Sequence, residues 1–134
     1  MLSPQELCAK ARANVKEIDV EQLQQRIAEG ARVIDVREPG EYLVGHIHQA
    51  VNMPRGVLEM QLTQHPEVAG YDDALQRIAS QPLYLICRSG GRSALAAESL
   101  QRMGFNEVYS VAGGMQAWEE HKYPQVTGEY SDRP

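Results

Sequence analysis

The sequence predicts an α/β domain with a mostly parallel sheet. Three observations support this prediction: strand and helix patterns alternate along the chain, several strands are short and rich in β-branched residues, and one strand is an unbroken apolar run. Such a run is typical of a central strand that is covered on both faces. In sheets of this kind, ligands bind beyond the carboxyl ends of the strands, so functional residues are expected there.

The N-terminal region contains two helix starts. Ser3, followed three residues later by Glu6, is a capping pattern that predicts a helix over about residues 3–14. Asp19 with Gln22 is a second capping pair, and the helix that it opens ends at a glycine. The first of these helices lies before the main run of alternating strands and helices.

The rest of the chain carries the other predicted elements. Strands are predicted at 32–36, 50–53, 83–86 and 107–111, and helices at 74–79, 93–103 and around Trp118. A Pro-Gly pair at 39–40 breaks the chain after the first of these strands. The elements between about 15 and 124 form the core of a single domain over 1–134. The last ten residues, 125–134, are predicted to be a loose polar tail.

Composition and charge exclude several classes of protein. The chain has 134 residues, 43% of them hydrophobic and 23% charged, which is ordinary for a soluble globular domain. A net charge of −5 and an aromatic content of 6% argue against a nucleic-acid surface. No stretch approaches the ~18 apolar residues of a membrane span. The N-terminus has no signal-peptide pattern, so we expect a cytoplasmic protein.

The cysteine and histidine content predicts neither disulfides nor a metal site. Cys8 and Cys87 are the two cysteines of the chain, too few for a secreted disulfide framework. Cys8 falls on the apolar face of the first helix and is interpreted as a core residue. His46 and His48 are close in sequence, but no other side chains have the spacing to complete a metal site with them. We expect no cofactor.

The segment that follows the apolar strand is the most informative in the chain. It consists of Cys87, Arg88, Ser89, Gly90, Gly91, Arg92 and Ser93. The glycines allow successive N–H groups to turn inward, the following helix start adds partial positive charge, and the arginines add two cations. These effects stabilise a thiolate, which is the nucleophilic form of cysteine. The segment therefore predicts a reactive Cys87 beside a bound anion, whereas a merely structural cysteine needs neither the glycine pair nor the arginines.

Four stretches, in order, resemble the motifs of rhodanese-type sulfurtransferases. They lie at 33–38, 41–54, 87–93 and 104–118, and together the resemblance covers about 15–124. The third stretch is similar to the active-site loop of the family. The resemblance implies a central parallel sheet of about five strands flanked by helices.

The resemblance also implies a reaction. Cys87 would take a sulfane sulfur from a small anionic donor such as thiosulfate and hold it as a persulfide. A thiol or cyanide would then accept the sulfur, and a thioredoxin-like or other sulfur-relay protein is a candidate acceptor. At the position directly after the cysteine, Arg88 resembles the residue of thiosulfate enzymes more than that of enzymes that use 3-mercaptopyruvate.

Several residue roles stay open at this point. Arg88 and Arg92 are candidates for holding the donor's oxygens, because the planar guanidinium group suits oxyanions. Either could instead pair with a carboxylate and brace the loop. The resemblance places Asp35 and Arg37 beside the loop, either in contact with the site or as a structural ion pair.

Two other functions are weighed against this one. Phosphatases of related fold separate their cysteine and arginine by five residues, whereas four separate Cys87 from Arg92. This spacing argues against hydrolysis of phosphate esters. Alternatively, the domain is a persulfide carrier that is loaded by a protein donor and read by a partner protein, with the same chemistry at Cys87.

Overall fold

The structure, a computed structural model, describes residues 1–133 and contains a sheet of five parallel strands. The strands are β1 (Lys16–Ile18), β2 (Arg32–Asp35), β3 (Val51–Asn52), β4 (Leu83–Ile86) and β5 (Val108–Val111). Their order across the sheet is β1-β5-β4-β2-β3, and every neighbouring pair is parallel. The predicted fold class, an α/β domain with a central parallel sheet of five strands, is confirmed.

Helices connect the strands throughout the described chain. They are α1 (Pro4–Asn14), α2 (Val20–Ala28), α3 (Pro39–Val44), α4 (Leu58–Gln61), α5 (Ala74–Ala79), α6 (Gly91–Arg102) and α7 (Gly114–Glu120), with a 3₁₀ turn at Leu62–Gln64. Both N-terminal capping patterns form. Ser3 Oγ accepts the N–H of Glu6 at 3.1 Å, and the Asp19 carboxylate accepts that of Gln22 at 2.8 Å. Within residues 1–133, no helix has the length and apolar character required to cross a membrane.

Several elements differ from the sequence prediction, and α4 and the 3₁₀ turn after it are not predicted at all. β1 is not predicted, because only Ile18 of its three residues is buried and no alternation is visible. Pro39, predicted only as a break, also begins α3, since the Glu41 carboxylate accepts the N–H of Glu38 at 3.0 Å. α6 begins at Gly91, two residues before the predicted start.

Both faces of the central strand are covered. Leu83 and Leu85 of β4 pack in a cluster with α5 and α6, while Tyr84 and Ile86 pack in a second cluster with α2 and α7. α1 packs against α6 on the first face. Burial on both faces explains the unbroken apolar run. It also places the residue after β4, Cys87, in the middle of the carboxyl edge of the sheet.

The first part of the C-terminal tail packs against the domain, which differs from the loose tail predicted over 125–134. His46 and Val126 exchange backbone hydrogen bonds of 2.9 and 2.8 Å. Backbone pairing of this kind leaves no mark in composition, so a polar segment gave no sign of it. Pro134, the last residue of the predicted tail, lies outside the described residues.

Candidate active site

The candidate nucleophile lies directly after β4, on the edge of the sheet where ligands bind in α/β folds. Cys87 is buried, with 1% of its surface exposed. The chain turns at Gly90, whose φ of 108° is in the left-handed region that favours glycine. α6 then begins at Gly91, so the loop feeds directly into the N-terminus of a helix of 12 residues.

The Cys87 sulfur is surrounded by hydrogen-bond donors. Sγ accepts the backbone N–H of Gly90 at 3.2 Å and that of Ser93 at 3.4 Å. The hydroxyl of Ser93 lies 3.5 Å from the same sulfur. Donors fixed by the backbone, together with the partial positive charge of a helix N-terminus, stabilise negative charge on the sulfur. The arrangement therefore suits a thiolate nucleophile. It also suits a negatively charged adduct formed when an atom is transferred to that sulfur.

A second serine stands behind the first and was not a sequence candidate. Ser93 Oγ lies 2.7 Å from Ser110 Oγ and 3.2 Å from the carbonyl oxygen of Gly90. Both serines are fully buried. Ser110 belongs to β5, where it sits beside Leu85 of β4. The signal that could have found Ser110 is a small hydroxyl residue in an otherwise apolar strand, which is costly to bury without a partner.

Arg92 is held by a carboxylate. Its Nη1 and Nη2 donate to Oε1 and Oε2 of Glu41 at 2.7 and 3.1 Å, which is a two-pronged ion pair. Hydrogen bonding to Arg92 lowers the pKa of Glu41 to about 2, and the same bond raises the pKa of Arg92. The sequence analysis left the role of Arg92 open between contact with the donor and pairing with a carboxylate. In the structure the partner is Glu41, on α3.

Asp35 and Arg37 form a buried ion pair at the end of β2. Arg37 Nη2 lies 2.8 Å from Asp35 Oδ2, and the two side chains are 5% and 0% exposed. The same Nη2 donates to the carbonyl oxygen of Gly45 at 2.7 Å. Asn52 Nδ2 donates to the carbonyl oxygens of both Asp35 and Arg37, at 3.0 and 2.9 Å. This network fixes the turn after β2 and ties it to the segment after α3.

Arg88 lines an open cavity. It is exposed, and no carboxylate of residues 1–133 lies within ion-pair distance of it. The cavity has a volume of about 470 Å³. Its lining is Arg37, Gly40, Glu41, Val44, Gly45, Arg88, Glu119 and Gln125. Arg88 is therefore available to an anion entering this cavity.

A second cavity lies between the loop and α1. It has a volume of about 400 Å³ and is lined by Cys8 and Arg12 of α1 together with Ser89 and Gly91 of the loop. Cys8 is half-buried rather than part of the closed core, and its sulfur lies 3.1 Å from where a Cβ on Gly91 would be. The second cysteine thus flanks the loop.

The start of α7 is hydrogen-bonded to the loop through the backbone. The N–H of Met115 donates to the carbonyl oxygen of Cys87 at 2.8 Å, and that of Gln116 to the carbonyl oxygen of Arg88 at 2.9 Å. Gly114 has a φ of 50°, and a Cβ there would collide with the Cys87 carbonyl oxygen. Glycine is required at this position because two backbones meet without room for a side chain.

Within residues 1–133, no three metal-binding side chains form a group that could hold an ion. His46 is buried, stacks on Tyr42 with ring centroids 3.7 Å apart, and has its Nδ1 2.9 Å from the carbonyl oxygen of Tyr42. These contacts place His46 in the packing of the segment after α3.

The fold and the loop define a rhodanese-like domain. Residues 19–121 match the family model described as Rhodanese-like domain, and the chain belongs to this family. The resemblance found in the sequence is therefore confirmed.

Individual relatives extend this result. A sulfurtransferase of Allochromatium vinosum is 32% identical over 86% of this chain and 98% of its own length. The "Putative sulfur carrier protein YrkF" of Bacillus subtilis is 32% identical over 79% of this chain, but the match spans only 52% of that protein. The polysulfide-sulfur transferase homodimer of Wolinella succinogenes is a structural neighbour. It has a TM-score of 0.70 and 26% identity, and the match covers 94% of this chain and 88% of that one.

Proposed function

We propose that the protein is a sulfurtransferase that moves a sulfane sulfur through a persulfide on Cys87, with thiosulfate as the donor. The observation that carries the proposal is the environment of the Cys87 sulfur, which accepts N–H bonds from Gly90 and Ser93 at the start of α6. Membership of the rhodanese-like family and similarity to a sulfurtransferase support it.

The first half-reaction loads the cysteine. The Cys87 thiolate attacks the outer sulfur of thiosulfate and forms a new S–S bond. The S–S bond of thiosulfate breaks, and sulfite leaves with its electron pair. The persulfide anion that results keeps the negative charge inside the loop, where the N–H groups of Gly90 and Ser93 stabilise it.

The second half-reaction empties the cysteine. A nucleophile such as cyanide or a thiolate attacks the outer sulfur, and Cys87 leaves as the thiolate. No net charge or electron is gained or lost over the two steps, so the cycle needs no cofactor. Two half-reactions on one covalent intermediate give ping-pong kinetics. The acceptor in the cell is proposed to be a thiol, including one on a thioredoxin-like or other sulfur-relay protein. A reactive thiol and an unpaired Cys8 suit a reducing compartment such as the cytoplasm.

The residues around Cys87 divide the remaining work. Arg88 binds the sulfonate oxygens of the donor, because it lines the cavity and has no carboxylate partner among residues 1–133. Arg92 braces the loop through Glu41. Asp35 and Arg37 hold the turn that forms the opposite wall of the cavity. Ser89 and Gly91 complete the loop on the side of α1.

The mass of the intact protein after incubation with thiosulfate tests the proposal. Wild type and Cys8→Ser should each gain the mass of one sulfur atom, which cyanide removes, and Cys87→Ser should gain nothing. No gain in the wild type would exclude thiosulfate as the donor. Polysulfide, the substrate in the name of the Wolinella neighbour, and 3-mercaptopyruvate would then be tried in the same assay. Failure of all three would overturn sulfur transfer from small donors.

A persulfide carrier is the second candidate, and similarity to a protein named as a sulfur carrier favours it. In this case a protein donor such as a cysteine desulfurase loads Cys87, and a partner protein removes the sulfur. The two functions differ in rate. Loading by a desulfurase that is much faster than loading by thiosulfate would identify a carrier, and the reverse order would identify a thiosulfate enzyme.

A further inference from the structure

Two buried hydroxyl groups form a chain that ends at the nucleophile. Ser110 Oγ lies 2.7 Å from Ser93 Oγ, which lies 3.5 Å from Cys87 Sγ. Neither serine has any exposed surface. Ser110 stands in the interior of β5, in a sheet position that apolar residues ordinarily fill. A buried hydroxyl in such a position has a cost unless it is hydrogen-bonded, so the contact with Ser93 is what makes Ser110 tolerable there.

The direction of the chain follows from counting protons. A hydroxyl group has one proton to donate and two lone pairs to accept with. Among residues 1–133, Ser93 Oγ is the hydrogen-bond partner found for the Ser110 side chain. Ser110 therefore donates its proton to Ser93, because a buried hydroxyl proton without an acceptor is costly. The Ser93 proton is then directed elsewhere.

Two acceptors compete for the Ser93 proton. They are the carbonyl oxygen of Gly90, at 3.2 Å, and the sulfur of Cys87. Hydrogen bonds to an ionised acceptor are about twice as strong as those between neutral groups. Once Cys87 is a thiolate, the charged sulfur is the better acceptor, and the Ser93 hydroxyl becomes its third donor beside the two backbone N–H groups.

We propose that Ser110 is a positioning residue for the nucleophile, which it serves by turning the Ser93 hydroxyl proton toward the Cys87 sulfur. This inference rests on the proposed function in that the sulfur so stabilised is the one that carries the persulfide. Ser110 does not touch the reacting atoms. It acts only through Ser93. Because the Ser110 proton is donated to Ser93 Oγ, the Ser93 proton is directed away from Ser110.

Charged groups also lie around the loop and must stay constant in any test. They come from the loop, the end of β2, α3, α6 and α7: Arg88, Asp35, Arg37, Glu41, Arg92 and Glu119. None of them is a hydrogen-bond partner of Ser110. Substitution of Ser110 therefore changes the hydroxyl chain and leaves these charges in place.

The test is the pH dependence of Cys87 alkylation by iodoacetamide, with the Cys87 peptide scored by mass so that Cys8 does not contribute. We expect Ser110→Ala to move the midpoint of the profile upward by about one pH unit, a shift of the size that one lost hydrogen bond to a charged group produces. Ser110→Thr keeps a hydroxyl and should return the midpoint toward that of wild type. Ser80→Ala, which removes an exposed hydroxyl bonded to a backbone carbonyl, is the matched control and should leave the midpoint unchanged.

Ser93→Ala keeps the inference testable if Ser110→Ala does not fold. It removes the last link and should raise the midpoint at least as much, and adding Ser110→Ala should then have no further effect. A folded Ser110→Ala variant with a wild-type midpoint would overturn the inference, as would unchanged alkylation in Ser93→Ala. Alkylation needs no sulfur donor, so the outcome is independent of the proposed function. A wild-type mass gain with thiosulfate, together with an unshifted midpoint, would support sulfur transfer and reject the role of Ser110.

Discussion

The two ends of the loop after β4 carry the same residue type in opposite situations. Arg92, in the first turn of α6, is held by both carboxylate oxygens of Glu41. Arg88, directly after Cys87, is exposed and has no carboxylate of residues 1–133 within ion-pair distance. The first arginine is neutralised by its partner, whereas the second lines the cavity without one. The comparison teaches that two arginines in one motif differ according to which of them has a carboxylate neighbour, and the proposed function makes Arg92 the brace and Arg88 the anion binder.

Removal of the Cys87 sulfur has the largest expected effect on turnover. Cys87→Ser should reduce thiosulfate:cyanide turnover by more than about 10³-fold, because the serine hydroxyl does not ionise near neutral pH. Far-UV circular dichroism should show a wild-type fold. Near-normal turnover in the serine variant would contradict sulfur transfer at Cys87, and the two arginines would then not flank the reacting group.

Arg88→Ala tests whether Arg88 binds the donor, as proposed, while Arg92 still braces the loop. The loss of hydrogen bonds to a charged ligand should raise the KM for thiosulfate by about 10- to 100-fold, with a much smaller change in kcat. Arg88→Lys should recover part of the affinity, since a point charge remains without the planar fork. An unchanged KM for thiosulfate in Arg88→Ala would assign the anion to another group.

Glu41→Gln tests the brace. At neutral pH it should lower the free energy of unfolding by under about 1 kcal/mol, because both partners are about one-third exposed and solvent weakens the pair. The pKa of Glu41 is lowered from 4.5 to about 2 in the fold. Its contribution is therefore complete above pH 4.5 and is lost as the pH falls from about 4.5 toward about 2. The gap in stability between wild type and Glu41→Gln, measured by urea unfolding, should close over that range. A gap that stays constant to pH 2 would show that Arg92 does not depend on the Glu41 charge.

Cys8→Ser has the smallest expected effect. The side chain lies against Gly91 in a cavity whose lining does not include Arg88, and changes of this kind usually alter free energies by less than ~0.5 kcal/mol. Turnover should stay within about twofold of wild type in the thiosulfate:cyanide assay. A large loss would instead make Cys8 a participant in sulfur transfer and give the α1 side of the loop a chemical role.

The sequence predicts the fold and the loop well because their signals are contiguous. The apolar run of β4 and the glycine pair of the loop are each read from neighbouring residues, and the structure contains both. β1 is not predicted, because a three-residue edge strand with one buried side chain shows no hydrophobic periodicity. The packed segment around Val126 escapes because its partner, His46, is far away in the chain.

The partners of the loop are harder to predict for the same reason. Glu41 stands 51 residues before Arg92, and Ser110 stands 17 residues after Ser93. A carboxylate on a short helix and a serine in a strand are common in any sequence, so neither stands out by type. Only the parallel sheet order, which brings the ends of β2, β4 and β5 together, turns them into neighbours of the Cys87 loop.

The central place of β4 has a consequence for how the protein is made. The groups that support the loop around Cys87 come from segments before and after it, including Glu41, Ser110 and Met115. Contacts between residues far apart in sequence are slow to form during folding. Until they form, the loop around Cys87 lacks these supports. The environment that the proposed function assigns to the Cys87 thiolate is therefore complete only in the finished fold.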